Sequence, residues 1–317
     1  MFFTLSKQNK MIKVSNLSKT FDDFKALNNI NLEVKEGEIF GLLGPNGAGK
    51  STFINCMSTL LKADSGTIFL NGIDLNKHPN KIKNLIGIVP QEISLYENFS
   101  AFDNLLFFGK LYGIDKKTLI KSIEEILLLI GLENRKNDLI KTYSGGMKRR
   151  INIAAALLHK PKILLMDEPT VGVDPQSRNQ IFSVIENLNK KGMTIIYTTH
   201  YMEEVERLCN TIAIMDAGNI IAKDSLTALQ KNSNTKELLK IKFETITNQQ
   251  FHDFKNQFHF NISKEDNEIS MQCAIEKELH NILSYIINSH LKIIDINRKK
   301  ANLETIFLQL TGKKLRD

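Results

Sequence analysis

The sequence predicts an α/β fold: a mostly parallel sheet covered by helices on both faces, broken by a helical insert and followed by a small α+β domain. Three observations carry this. Short apolar strands alternate with helical stretches between residues 12 and 215, the pattern of strands buried on both sides. A glycine-rich stretch, Gly44 to Gly49, joins one strand directly to a helix. After Ser225, Asn, Gln, Lys and Glu become dense, and no glycine occurs between Asn219 and Thr311.

In chain order, residues 12–14, 30–34 and 39–43 read as strands, with a turn at Asp22-Asp23 between the first two. A helix is predicted over 50–61, and a strand over 67–70 is closed by a turn at Asn71-Gly72. From 101 to 132, Leu105, Phe108, Leu111 and Tyr112, then Leu119, Ile123, Ile126 and Leu127, recur at spacings of three and four, which defines helices. They form a helical subdomain at about 92–150. Alternation resumes with a strand at 163–166, a helix at 177–188, a strand at 194–198, a helix at 202–209 and a strand at 212–215, ending in a hairpin turn at 216–219. Beyond 225 the predicted order is strand 237–243, helix 249–258, two strands in 260–275, helix 277–287, strand 291–296 and helix 302–310. That β-α-β-β-α-β order predicts a ferredoxin-like domain over 226–317, after a main domain over 12–225.

Composition excludes several classes. The chain has 317 residues, 42% hydrophobic and 24% charged, long enough to bury a core without disulfides or metal staples. Its three cysteines, Cys56, Cys209 and Cys273, show no metal-ligand spacing and read as ordinary thiols of a reducing compartment. No apolar run reaches the roughly 18 residues of a membrane span. The start, Met1 to Lys7, places its apolar pair before the first lysine, unlike a signal peptide. The expectation is a protein that is neither exported nor integral to a membrane. Recognisable pattern begins only at Met11, which makes Met11 a second candidate start. The net charge of +7, from 42 Lys+Arg against 35 Asp+Glu, reads as solvated surface lysine, and no specific nucleic-acid partner is expected.

Gly44-Pro45-Asn46-Gly47-Ala48-Gly49-Lys50-Ser51 fits G-x-x-x-x-G-K-[ST] in full, between a strand and a helix. Glycines let successive backbone N–H groups point at phosphates, and the helix N-terminus adds positive potential beneath the same anion. Lys50 reaches the β- and γ-phosphates, and Ser51 offers a hydroxyl to Mg²⁺. Farther on, the apolar strand Ile163-Leu164-Leu165-Met166 ends in Asp167-Glu168. Beside phosphates, Asp167 would hold Mg²⁺ and Glu168 would polarise the attacking water.

Ser144-Gly145-Gly146-Met147 stands 23 residues before Asp167 and opens a helix containing Ala154-Ala155-Ala156. A serine cap followed by two glycines exposes helix N-terminal amides to an anion. One chain already has a phosphate loop, so this second phosphate-reading turn best serves a nucleotide held by another subunit.

This set of motifs resembles the ATP-binding cassette (ABC) family across about residues 12–225. Ser144 to Met147 resembles its signature turn, with Met147 where glutamine is commoner and Tyr143 where leucine is. The resemblance implies a P-loop NTPase cassette with an antiparallel β subdomain, binding ATP and Mg²⁺. It places nucleotide contacts on Phe21, which resembles the aromatic that stacks on adenine, and on Gly44, Pro45, Asn46, Gly47, Ala48, Gly49, Lys50, Ser51 and Thr52. Ser144, Gly145, Gly146 and Asp174, the last in a loop resembling the one that crosses the dimer interface, complete the set. Gln91 resembles the glutamine that contacts Mg²⁺ and the attacking water, and His200 the histidine that hydrogen-bonds the γ-phosphate. Glu168, His200 and Gln91 are then the expected catalytic residues, with Ser51, Gln91 and Asp167 at the metal.

The resemblance further implies a head-to-tail dimer, with itself or a paralogous ATPase subunit, and a separate membrane permease that places the chain at the cytoplasmic membrane face. The ending, Asn302 to Gly312 and Leu315-Arg316-Asp317, resembles bacterial drug- and antibiotic-exporter ATPases. An importer ATPase and a non-transport ATPase of translation or DNA repair stay open as alternatives. Only 94 residues separate Lys50 from Ser144, which leaves no room for the long coiled coils of repair members.

Overall fold

The computed structural model describes residues 10–232, 237–258, 260–273, 275–299 and 303–311. Contacts divide the chain into two compact units, with the boundary between Ser225 and Leu226.

The first unit begins with two long strands, β1 (Lys10–Phe21) and β2 (Phe24–Lys35), then β3 (Ile39–Leu43), α1 (Lys50–Met57), β4 (Ser65–Leu70), β5 (Ile73–Asp74), α2 (Pro79–Leu85) and β6 (Ile86–Val89). The insert follows as α3 (Ala101–Leu111) and α4 (Lys116–Leu129), then α5 (Gly145–Leu157). The core closes with β7 (Ile163–Asp167), α6 (Pro175–Lys190), β8 (Thr194–Thr199), α7 (Met202–Leu208), β9 (Thr211–Asp216) and β10 (Asn219–Asp224).

Two sheets result. One has the order β2-β1-β4-β5 and antiparallel pairing; the other has the order β10-β9-β3-β8-β7-β6. In the second, β9, β3, β8, β7 and β6 run parallel, and only β10 is antiparallel. Side chains alternate across this sheet. In β7, Ile163 and Leu165 join a core shared with β1, β2 and α1, whereas Leu164 and Met166 face the core shared with α3 to α6. Burial on both faces is why β7 reads as an unbroken apolar run rather than as an alternation.

Several elements differ from the sequence reading. β1 and β2 are 12 residues each, because they pair with one another along their length through several bulges, with Asn16 and Asn29 in the left-handed region. The helix expected to reach 61 stops at Met57, where Ser58 and left-handed Thr59 (φ 67°) turn the chain away. α2 and β6 follow one another with no loop, so the apolar residues from Ile82 to Val89 look like one segment while serving two.

The second unit holds α8 (Leu226–Asn232), β11 (Glu237–Phe243), α9 (Asn248–Gln257), β12 (Asn261–Glu265), β13 (Glu268–Cys273), α10 (Ile275–Asn288), β14 (Ile293–Lys299) and α11 (Leu303–Thr311). Its sheet has the order β12-β13-β11-β14, with every pair antiparallel. Leu239, Ile241 and Phe243 of β11 pack with Phe254 of α9 and Ile282 and Ile286 of α10. Thr247 and Gln250 form a capping box at the start of α9. Of the ending read from the sequence, Asn302, Gly312 and Leu315-Arg316-Asp317 lie outside the described residues.

Leu164 is fully buried between β7 and the helical side of the sheet. Leu164→Ala is expected to cost about 2–5 kcal/mol, measured by urea unfolding of the full chain. A loss under about 1 kcal/mol would show that this side of the core closes over the cavity.

Candidate functional site

β3, β8 and β7 are neighbours and parallel, so their C-terminal ends stand side by side, with β8 in the middle. From β3 the chain turns through residues 44–49 into α1. Gly49 has φ 107°, and a Cβ there would lie 2.5 Å from the Ala26 carbonyl oxygen. Backbone angle and space both demand glycine. Lys50 is 4% exposed and bends back over the turn, where its Nζ donates to Gly44 O at 2.8 Å and Pro45 O at 3.0 Å. The same ammonium lies 2.9 Å from Glu168 Oε1. Ser51 and Thr52 occupy the first turn of α1, half-buried.

The two acids leave β7 together. Glu168 is non-glycine yet left-handed, at φ 45°, a conformation that persists only where surrounding contacts over-determine it. Thr198 of β8 supplies those contacts. Its Oγ1 and carbonyl oxygen accept from Glu168 N at 3.0 and 3.2 Å, and its hydroxyl donates to Asp167 Oδ1 at 2.7 Å.

The other two predicted catalytic residues converge on Glu168. Gln91 Nε2 is 3.4 Å from Glu168 Oε2, and His200 Nδ1 is 3.3 Å from the same oxygen. That His200 nitrogen is buried and has no hydrogen-bond partner among the described residues, because its contact with Glu168 lacks the right angles. A buried polar atom without a partner favours an incoming hydrogen-bonding group.

Ser144, Gly145, Asp174 and Phe21 have no hydrogen bond or ion pair to Glu168 or Lys50 among the described residues. Ser144 caps α5, its side chain accepting from Met147 N at 3.3 Å, and Ser144 and Gly145 are exposed. Gly146 is buried; a Cβ there would overlap the Ser177 side chain, so only glycine lets α5 rest on α6. Asp174 caps α6 and accepts from Ser177 N at 2.9 Å. The backbone amide of Ser177 holds the Asp174 carboxyl below its usual range. Ser177 therefore ties the turn at Ser144 to Asp174. Phe21 ends β1 with its ring partly exposed, and the Lys19 ammonium, held 2.7 Å from Asp64, lies 5.5 Å from the ring centroid.

Sequence reading missed two supports. One is Thr198, described above. The other is Arg149, whose Nη1 and Nη2 donate to Pro90 O at 2.7 Å and Gln91 O at 2.6 Å. Asn152 Nδ2 adds a bond to Glu92 O at 3.2 Å. The segment carrying Gln91 is thus hooked to the helix that Ser144 caps. Burial lowers the Arg149 pKa from its ordinary value, and two carbonyl acceptors compensate the desolvated guanidinium. Nothing local to the Lys148-Arg149-Arg150 run signals carbonyl partners 58 and 59 residues away.

The donor set suits Mg²⁺. A carboxylate (Asp167), a hydroxyl (Ser51) and an amide (Gln91) are hard oxygen ligands, and no group of three His, Cys, Asp or Glu among the described residues forms a cage of its own. Mg²⁺ with few protein ligands, completed by phosphates and water, has these requirements.

A buried lysine folded into a backbone turn and facing a buried carboxylate just past the end of a strand two places away in the sheet is the arrangement of a P-loop nucleoside triphosphatase. Comparison with known proteins narrows the class. The model of the ABC transporter family matches residues 27–171. The chain is 43% identical to the linearmycin resistance ATP-binding protein LnrL of Bacillus subtilis, over 97% of this chain and 100% of that protein. It is 31% identical to the daunorubicin/doxorubicin resistance ATP-binding protein DrrA of Streptomyces peucetius, over 96% and 93%. A solved dimer of the cassette MJ0796, in a post-hydrolysis state bound to ADP and Pi, covers 68% of this chain and 99% of that one, with 30% identity and a TM-score of 0.61. This chain belongs to the ABC transporter family, as an ATP-binding subunit that hydrolyses ATP.

Removing the Arg149 hook frees the Gln91 segment without touching the phosphate loop. Arg149→Ala is expected to lower kcat by up to about 10²-fold, as small misplacements near a reacting centre do, with ATP affinity within a few-fold of the parent. Steady-state ATPase assays with nucleotide-binding titrations check this; an unchanged kcat would remove Arg149 from the site's support.

Proposed function

We propose that this chain is the motor subunit of a drug- or antibiotic-type exporter, working as a head-to-tail dimer of cassettes that drives a separate permease at the cytoplasmic membrane face. The observation that carries the site assignment is the convergence of Lys50, Gln91 and His200 on Glu168. In this reading Lys50 grips the β- and γ-phosphates, Ser51 and Asp167 hold Mg²⁺, and Gln91 reaches both metal and water. Glu168 takes the proton of the attacking water. His200 donates its unpartnered nitrogen's hydrogen-bonding capacity to the γ-phosphate. Mg²⁺, when bound, offsets the negative charge of the phosphate oxygens. Phe21 offers its ring face to adenine.

The exposed turn at Ser144 and Gly145 supports dimerisation. It faces solvent and presents helix amides of the kind that bind anions, so in this reading it completes the neighbour's site, with Asp174 beside it. The solved dimer of MJ0796 is the precedent for such a pair. Nucleotide contacts on both faces then favour the closed dimer, and phosphate loss weakens them.

A permease is supported by an apolar patch on the helical insert. Tyr96, Phe99 and Phe107 are partly exposed and packed on one another, with Tyr96 at 5.5 Å from Phe99 and 5.1 Å from Phe107, and Ile93 beside them in sequence. Grouped exposed aromatics mark protein interfaces, and these follow Gln91 directly in the chain. The resistance relatives support export, as does the Nod factor export ATP-binding protein I of Cupriavidus metallidurans, 32% identical.

Glu168→Gln keeps the shape of the site and removes its base. It is expected to bind ATP, lose turnover and accumulate as an ATP-bound dimer on size exclusion. Near-normal ATPase activity in this variant would sink the role given to Glu168. Phe99→Asp is expected to preserve the ATPase activity of the isolated chain while abolishing co-purification of a polytopic partner from detergent-solubilised membranes. Unchanged co-purification would place the permease elsewhere.

A further inference from the structure

Glu204 lies four residues after His200 on α7 and is 1% exposed. It touches none of the reacting groups, yet its carboxylate is one of the most heavily engaged in the molecule. Oε1 accepts from Thr170 Oγ1 at 2.6 Å. Oε2 accepts from Thr199 Oγ1 at 2.7 Å and Tyr197 OH at 2.9 Å. Arg178 Nε is 3.7 Å from Oε1 and supplies the nearby positive charge. Buried carboxylates survive only when paired and hydrogen-bonded in this way.

The donors come from two separate parts of the site. Thr170 sits two residues after Glu168, in the loop that leads to Asp174 at the start of α6. Tyr197 and Thr199 end β8, and Thr199 directly precedes His200. The Thr199 hydroxyl also accepts from Tyr201 N at 3.0 Å, so the peptides on both sides of His200 are held. Arg178, one turn into α6 from Asp174, places its guanidinium over the Tyr201 ring at 5.1 Å, and that ring lies 4.1 Å from the His200 imidazole. Besides a direct 3.4 Å contact of Thr170 Oγ1 with Tyr197 OH, two routes connect the loop carrying Asp174 with His200, and Glu204 is the hub of the shorter one.

We propose that Glu204 is a positioning residue that locks the 169–174 loop and the 199–201 segment into one body. Closure of a partner on Asp174 then sets His200 and Glu168 together. The proposal rests on the reading that Glu168 and His200 face the reacting phosphate. Glu204 acts through Thr170 and Thr199 and not on substrate, so its loss is expected in kcat rather than in nucleotide affinity.

A double-mutant cycle on the full chain tests it. Thr170→Val cuts the loop's link and Thr199→Val cuts the histidine's link, each with little change of volume. Each single variant is expected to lower kcat, per ATP-binding site, about tenfold, the equivalent of one hydrogen bond to a charged group, with KM within about threefold. If the two threonines act through Glu204, the double variant loses about tenfold as well, because either cut breaks the same coupling. Glu204→Gln, which keeps an acceptor oxygen, is expected to retain more activity than Glu204→Ala. Losses that multiply to about a hundredfold overturn the proposal, as do kcat losses that merely track lowered melting temperatures. The Glu168→Gln variant separates the two failures. Turnover abolished there with a multiplicative cycle rejects the role of Glu204 alone, whereas turnover preserved there rejects the site reading beneath it.

Discussion

One close approach organises this cassette: the buried ammonium of Lys50 against the buried carboxylate of Glu168, 2.9 Å apart with side chains 4% and 5% exposed. Removing two charges from water is costly, and their attraction repays it only with good geometry and further hydrogen bonds. The Gly44 and Pro45 carbonyls supply those bonds on the lysine side, and Gln91 Nε2, 3.4 Å from Glu168 Oε2, supplies one on the carboxylate side. Such a pair cannot form unless the turn after β3 and the end of β7 reach the same place. The strand order provides this by setting β8 between them. The same order brings Thr198 to the Glu168 backbone amide and His200 Nδ1 to within 3.3 Å of the other carboxylate oxygen. Ligand sites of open α/β sheets lie beyond the carboxyl ends of the strands, and here the strand order determines which side chains meet there.

Support for the site is layered behind this pair. Thr198 fixes both acids and holds Glu168 in its left-handed backbone. Arg149 hooks the Gln91 segment to α5. Ser177 binds the Asp174 cap while receiving Gly146 against its side chain. Each support reaches between elements far apart in the chain, so the site is held by the tertiary structure around it rather than by the local stiffness of any loop.

That division explains what was legible in the sequence. The phosphate loop, the acid-tipped strand and the serine–glycine turn are local patterns whose chemistry dictates residue type at fixed spacing, so Lys50, Glu168 and Ser144 could be named from residues alone. The parallel core was legible because strands buried on both faces become apolar runs, as in β7. Thr198 and Arg149 were not, because their value lies in a partner 30 or 59 residues away. β6 stayed hidden because four residues following a helix without a loop carry no periodicity of their own. The lengths of β1 and β2 depend on mutual pairing and bulges, which no window of either strand contains.

The contact between Gly146 and Ser177 also limits how this molecule can move. No space for even a methyl group separates α5 from α6 at that point. A sliding displacement of the helical insert along the sheet would drive backbone into side chain there. α5 is therefore seated directly on α6 at this point, with the Gln91 segment tied to it through Arg149. The Gln91 segment and the turn at Ser144 are thus carried by one helix, so two surfaces of the cassette share a single mount.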